Sequence, residues 1–128
     1  MKRHCLLDSS FVIDLLIESA AGRPGPAVGW LRKNPQAQLW ITPVTFAEVL
    51  EGADDADEVR RLLQRYRWQG LHRAHAELAA ILQRRASHRM GENDAWQAAA
   101  ALHMGGCVVG HDPRAFSRLG DAYVDHRA

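Results

Sequence analysis

The sequence predicts an α/β fold, a parallel sheet of about four to five strands flanked by helices, and two observations predict it. Residues 4–7, 39–42 and 107–109 are short apolar runs bounded by turn residues, the pattern of strands buried on both faces. Between them lie longer stretches whose apolar residues recur at helical spacing. Strands that alternate with helices return parallel to one another and form a covered sheet.

The elements follow in order. The run 4–7 stops at Asp8, and Ser9 and Ser10 can cap the helix carrying Phe11, Val12, Leu15 and Leu16. That helix should end near Ala20, before the loop Gly22-Arg23-Pro24-Gly25-Pro26. A second helix is expected over 27–33, stopped by Asn34-Pro35. After the strand 39–42, Pro43 and Thr45 open a helix with Phe46, Val49 and Leu50 on one side. Further helices are expected over 55–66, 74–85 and 94–104, with a short strand around 68–72. Gly105-Gly106 closes the last of these helices before the strand 107–109. His111-Asp112-Pro113 is a turn, Phe116 belongs to a short helical turn, and 122–124 reads as an edge strand.

A chain of 128 residues, 47% apolar and 24% charged, fits one soluble globular domain over 1–128. It is long enough to close one substantial core. No apolar run approaches the roughly 20 residues that cross a bilayer. The opening Met1-Lys2-Arg3-His4 leads into too short an apolar stretch for a signal peptide, so a cytoplasmic location is expected. Cys5 and Cys107 lie too far apart for a C-x-x-C motif and read as buried, reduced thiols. The formal net charge is only +1. The arginines are unevenly spread: Arg60, Arg61, Arg65, Arg67 and Arg73 form one group and Arg84, Arg85 and Arg89 another. They read either as solvated helix faces or as a phosphate-binding rim.

Four acids fall where such a sheet binds ligands, beyond the carboxyl ends of its strands. Asp8 ends the first strand, and Asp112 follows the strand 107–109. Glu48 lies early in the helix after the second strand, and Asp94 opens the helix before 107–109. Singly, each has a plain explanation. Asp8 can cap a helix. Thr45 and Glu48 match a capping box. Asp94 suits a helix amino terminus, and Asp112-Pro113 starts a turn. Together they would repel, by about 4 kcal/mol for two unit charges about 4 Å apart at an effective dielectric near 20. Protonation or a cation must relieve that. Hard oxygen donors without a His/Cys cluster favour Mg²⁺ or Mn²⁺.

Four segments carry a family resemblance. They are Leu7-Asp8-Ser9-Ser10-Phe11-Val12, Thr42-Pro43-Val44-Thr45-Phe46-Ala47-Glu48, Gly91-Glu92-Asn93-Asp94-Ala95-Trp96 and Val109-Gly110-His111-Asp112-Pro113. In this order and spacing the chain resembles a PIN-domain ribonuclease of the VapC type, the toxin of bacterial toxin–antitoxin pairs, along nearly its whole length. The resemblance implies a three-layer sandwich and Mg²⁺ or Mn²⁺ held by Asp8, Glu48, Asp94 and Asp112. It implies endonucleolytic cleavage of RNA by metal-activated water, a homodimer, and a small antitoxin that occludes the site. Ser9, Ser10 and Asn93 are the candidates to support the acids, while the residues that bind RNA stay unassigned. The family's strand order makes Cys5 and Cys107 near neighbours.

Two positions depart from the family. Gly110 stands where Thr or Ser is usual, and the missing hydroxyl should loosen Asp112 or weaken one metal site. Gln97 replaces an apolar residue and needs a partner if buried. Asp14 reads as a solvated helix residue, His111 as a bystander, and Trp30, Trp40 and Trp96 as core or interface aromatics. Phosphatases of the haloacid dehalogenase type and receiver domains also place an Asp at a strand end, but they need a lysine from a later strand. This chain has none after Lys33. The remaining alternative is a PIN-like RNA-binding or scaffold module with a disabled site.

Overall fold

Five strands form the sheet in the computed structural model, which describes residues 3–128; Met1 and Lys2, the start of the amino-terminal basic run, lie outside the described residues. The strands are β1 (His4–Leu7), β2 (Gln38–Ile41), β3 (Arg67–Trp68), β4 (Cys107–Gly110) and β5 (Tyr123–Asp125). All pair in parallel, in the order β3-β2-β1-β4-β5. β1 and β4 are central, and both are almost wholly buried, which is why their sequences run apolar without alternation. Cys5 and Cys107 are register partners, with Sγ atoms 3.7 Å apart and both thiols free.

The helices are α1 (Ser9–Ala21), α2 (Pro26–Lys33), α3 (Pro43–Glu51), α4 (Ala56–Leu63), α5 (Arg73–Arg85), α6 (Glu92–His103) and α7 (Pro113–Phe116). A 3₁₀ segment over Ser117–Ala122 joins α7 to β5. The sheet's two faces take alternate residues of β1. Cys5 and Leu7 pack with Phe11, Val12, Val49, Val59 and Leu63 of α1, α3 and α4. Leu6 packs on the other face with Ala100, Ala101 and Phe116 of α6 and α7. The alanines of α6 also seat α5, through Ala79, Ala95, Ala98 and Ala99. Small side chains let the two helices approach closely, and the result is three layers.

Several boundaries differ from expectation for local reasons. β2 ends at Ile41, because Thr42 turns into the cap of α3 and its hydroxyl accepts from the amides of Val44 and Thr45 at 3.1 and 3.5 Å. The capping-box reading of Thr45 and Glu48 is therefore one turn out of register. α4 stops at Leu63 instead of residue 66. β3 lies at Arg67–Trp68 rather than 68–72: it is a two-residue edge strand, and Gly70 follows after one intervening residue. α6 begins at Glu92, two residues early, which puts Asp94 inside its first turn. α1 runs to Ala21 and closes on Gly22, whose φ of 71° suits a residue without Cβ.

Candidate active site

The four predicted acids come from four different elements. Asp8 is the cap of α1, its carboxylate accepting from the Ser10 amide at 3.3 Å. Its own amide donates to the Val109 carbonyl at 2.9 Å, which fixes the carboxyl end of β1 against β4. Asp112 caps α7, accepting from the Ala115 amide at 3.2 Å, and its amide donates to the Tyr123 hydroxyl at 3.1 Å. Asp94 lies in the first turn of α6 and Glu48 in α3. The plain explanation of Asp8 and Asp112 as caps is thus correct, and it does not compete with a shared site. The caps are what hold these two carboxylates at the sheet edge.

The four charges feel one another. Asp94 is pushed up to about 6, first by burial and then by the negative charges of Asp112, Asp8 and Glu48. Glu48 is also raised, by burial and by Asp8, although Ser9 and Asn93 donate to its carboxylate and work the other way. Among the described residues none of the four forms an ion pair. Nor are three of them, or any three His, Cys, Asp or Glu side chains described, drawn together into a cation's shell. The donor set itself suits a hard divalent cation: four carboxylates and no imidazole or thiolate. The residues present fit Mg²⁺ or Mn²⁺ on that chemistry.

Gly110 explains itself in the packing. A Cβ there would sit 2.7 Å from the Asp8 Cβ and 2.7 Å from the Ser10 Oγ. The Ser10 hydroxyl fills the space where a side chain at 110 would stand. It donates to Asp8 Oδ2 at 2.7 Å and accepts from the His111 amide at 2.9 Å. A hydroxyl from α1 thus ties the residue after β4 to Asp8.

Gln97 is 1% exposed and has its partners. Its Oε1 accepts from the Thr42 hydroxyl and its Nε2 donates to the Thr45 hydroxyl, both at 2.6 Å. Thr45 in turn donates to the Leu7 carbonyl at 2.8 Å. This buried chain links α6, α3 and the end of β1, which carry Asp94, Glu48 and Asp8. Sequence reasoning missed it; the signal was a glutamine in an alanine-rich buried helix opposite two threonines. His111 turns its ring to Asp125, at 3.0 Å.

Asp14 corrects the solvated reading. It accepts from His126 Nε2 at 2.8 Å and from Arg127 Nε and Nη2, both at 2.8 Å. These bonds clip the chain's carboxyl end to α1. Nothing in the local sequence marks the pairing, because its partners lie more than 110 residues away.

An α/β domain with a parallel sheet and an acidic crevice at its carboxyl edge is the class these features define. Residues 5–122 match the PIN domain, and the chain belongs to that family. Its fold is similar to a toxin–antitoxin complex from Klebsiella pneumoniae, at 21% identity and a TM-score of 0.80, covering 95% of this chain and 97% of that one. It is also similar to VapBC-1 from nontypeable Haemophilus influenzae (20%, TM-score 0.74, 98% and 99% covered). A third likeness is VapBC2 from Rickettsia felis bound to a promoter DNA fragment (15%, TM-score 0.68, 95% and 97% covered). No protein of curated function matches the sequence.

Proposed function

We propose that the chain is a Mg²⁺- or Mn²⁺-dependent endoribonuclease and the toxin of a toxin–antitoxin pair. The observation that carries this is at Asp94, which is pushed up to about 6, first by burial and then by the charges of Asp112, Asp8 and Glu48 together. Stability alone gives no reason to gather four carboxylates at one edge without a cationic partner. In this reading the four carboxylates hold the ion. A cation bound there supplies positive charge to the phosphoryl oxygens and lowers the pKa of water. Ser10 and the Thr42–Gln97–Thr45 chain hold the carboxylates' elements in place; Ser9 and Asn93 orient Glu48.

The toxin role is supported by the fold's likeness to structures solved as toxin–antitoxin complexes. One cleft beside the acids suits an occluding partner. Ile13 and Ile17 of α1, 43% and 61% exposed, line it together with Glu48 and Val49. A small antitoxin is the proposed partner and RNA the proposed substrate; a homodimer and a cytoplasmic location complete the proposal. Among the described residues no helix is long and apolar enough to cross a membrane.

The test is incubation of purified protein with total RNA. Cleavage with Mg²⁺ or Mn²⁺, abolished by EDTA and by Asp8→Asn, is expected. Metal-independent cleavage, or full activity in Asp8→Asn, would sink the mechanism. Tight RNA binding with no cleavage of any RNA would favour the scaffold alternative. Overexpression should arrest growth, relieved by a small protein encoded beside it.

A further inference from the structure

A second cleft opens on the other side of the acids, with a volume of about 320 Å³. Asp94 and Asp112 line it together with Arg89, Arg114 and Arg118. Three guanidinium groups share a crevice with two carboxylates, yet among the described residues no arginine closes an ion pair with either acid. The arginines are therefore not placed to neutralise the acids.

We propose that Arg114 and Arg118, flanked by Arg89, form a phosphate subsite that seats the RNA backbone next to the four acids. The proposal rests on the nuclease reading above and names substrate-binding residues for that same site. Three observations carry it. Arg114 follows Asp112 by two residues, so any phosphate it holds lies beside that acid. Arg118 is anchored: Nη1 donates to the His88 carbonyl at 2.9 Å across 30 residues. One donor is used, and the rest of the planar fork is available for phosphate oxygens. Arg89, just before α6, pairs with Glu92 three residues on. The volume sits at the small end of ligand clefts, roughly 300–1,000 Å³, as suits one segment of a strand and not a whole folded RNA.

The alternative, solvated charge, fits the other arginines better. Arg60 is paired with Asp57. Arg65 lines clefts that contain none of the four acids. Arg67 lies over the Trp40 ring. Only Arg89 of the two groups prominent in the sequence reaches the acidic crevice. Arg114 and Arg118 belong to neither group and were not visible as a cluster.

The experiment measures binding of a short single-stranded oligoribonucleotide by the full chain in metal-free buffer, over a range of salt. Arg114→Ala/Arg118→Ala should bind about tenfold more weakly or worse. Its salt slope should shrink by roughly 0.7 for each phosphate that is no longer neutralised. Arg114→Ala alone should shift both in the same direction, which guards against misfolding when the Arg118 anchor is cut. Arg61→Ala/Arg84→Ala removes the same net charge from outside the crevice and should bind as the wild type does. Equal losses in both double variants, or an unchanged affinity and slope in the first, would overturn the subsite. Cleavage by wild type with Mn²⁺ alongside such a result would leave the nuclease reading standing. Variant-sensitive binding without any metal-dependent cleavage would do the reverse.

Discussion

Helix α1 carries acids of two kinds. At its start stands Asp8, whose charge bears on Glu48 and Asp94, and among the described residues neither it nor Glu48, Asp94 or Asp112 forms an ion pair. Further along, Asp14 is held by Arg127 and His126. Glu18, buried, accepts from the amides of Gly25, Ala27 and Val28 at 2.6, 2.9 and 2.9 Å. The outcomes are opposite. Burial and like charge raise Asp94 to about 6. The Arg127 hydrogen bonds hold Asp14 below the ordinary carboxylate range, and at Glu18 the three amides outweigh burial. Carboxylates that stabilise a fold are answered within it. In the proposed reading, those at the sheet edge are answered by a bound cation.

Removing one acid from each region should separate the two roles. Asp94→Asn is expected to lower RNA cleavage by at least about 100-fold, since an ion-holding charge is lost at the reacting centre. The same change should stabilise the metal-free protein by roughly 1 kcal/mol, because it removes repulsion. Asp14→Ala should do the opposite. It should cost about 1–3 kcal/mol, for it leaves the buried His126 ring and Arg127 without their partner. Its activity under folded conditions should stay close to wild type. Urea unfolding in EDTA and a cleavage assay read both; a stability loss in Asp94→Asn would break the contrast.

An added ion should act on one region only. Mn²⁺ at about 100 times its Kd should stabilise the wild type by about 2.7 kcal/mol. Asp14→Ala should gain as much, and Asp94→Asn clearly less. Thermal melts with and without the ion decide it. Equal gains in all three proteins would place the ion elsewhere.

pH should move the two regions in opposite senses. Asp94 has a folded pKa of about 6 against an ordinary value of 3.8. The folded state keeps its proton longer, so the contribution is full below 3.8 and is lost as pH rises through 6. Asp14 is lowered from 3.8, so its contribution is full above that value and is lost as pH falls through its folded pKa. In EDTA, the stability gap between wild type and Asp94→Asn should widen in the mutant's favour between pH 4 and 7, by on the order of 1–3 kcal/mol. The gap to Asp14→Ala should narrow only below pH 4.

How much of this was legible in the sequence follows from the range of the interactions. β1, β4, α1 and α6 were readable because their periodicity and turn residues are local. The placement of the four acids on their elements was readable, since strand ends and helix starts are local too. Thr42, Thr45 and Gln97 were not, because the bonds that join them span more than 50 residues. Asp14 failed for the same reason. β3 was misplaced because a two-residue edge strand is defined by its partner, Ile41 and Trp40, and not by its own side chains. The packing beside Gly110 was not readable, because it depends on a serine 100 residues away.

The smallest expected effect concerns that serine. Ser10 Oγ bonds Asp8 and the His111 amide in the space a side chain at 110 would need. Ser10→Ala removes a charge-assisted hydrogen bond from Asp8 and leaves the His111 amide without that partner. Such a loss costs about 1–2 kcal/mol, and weaker orientation of Asp8 should lower cleavage about 10-fold. The effect should be larger at low Mn²⁺ than at saturation, because orientation of a carboxylate sets ion affinity first. Gly110→Ala should hurt differently. Its Cβ meets the Asp8 Cβ, a part of the side chain fixed by backbone, so stability and activity should fall together at every Mn²⁺ concentration. An Mn²⁺ titration of cleavage for both variants reads the difference. If Ser10→Ala leaves the apparent Mn²⁺ affinity untouched, the hydroxyl holds the helix cap and not the acid's contribution to the site.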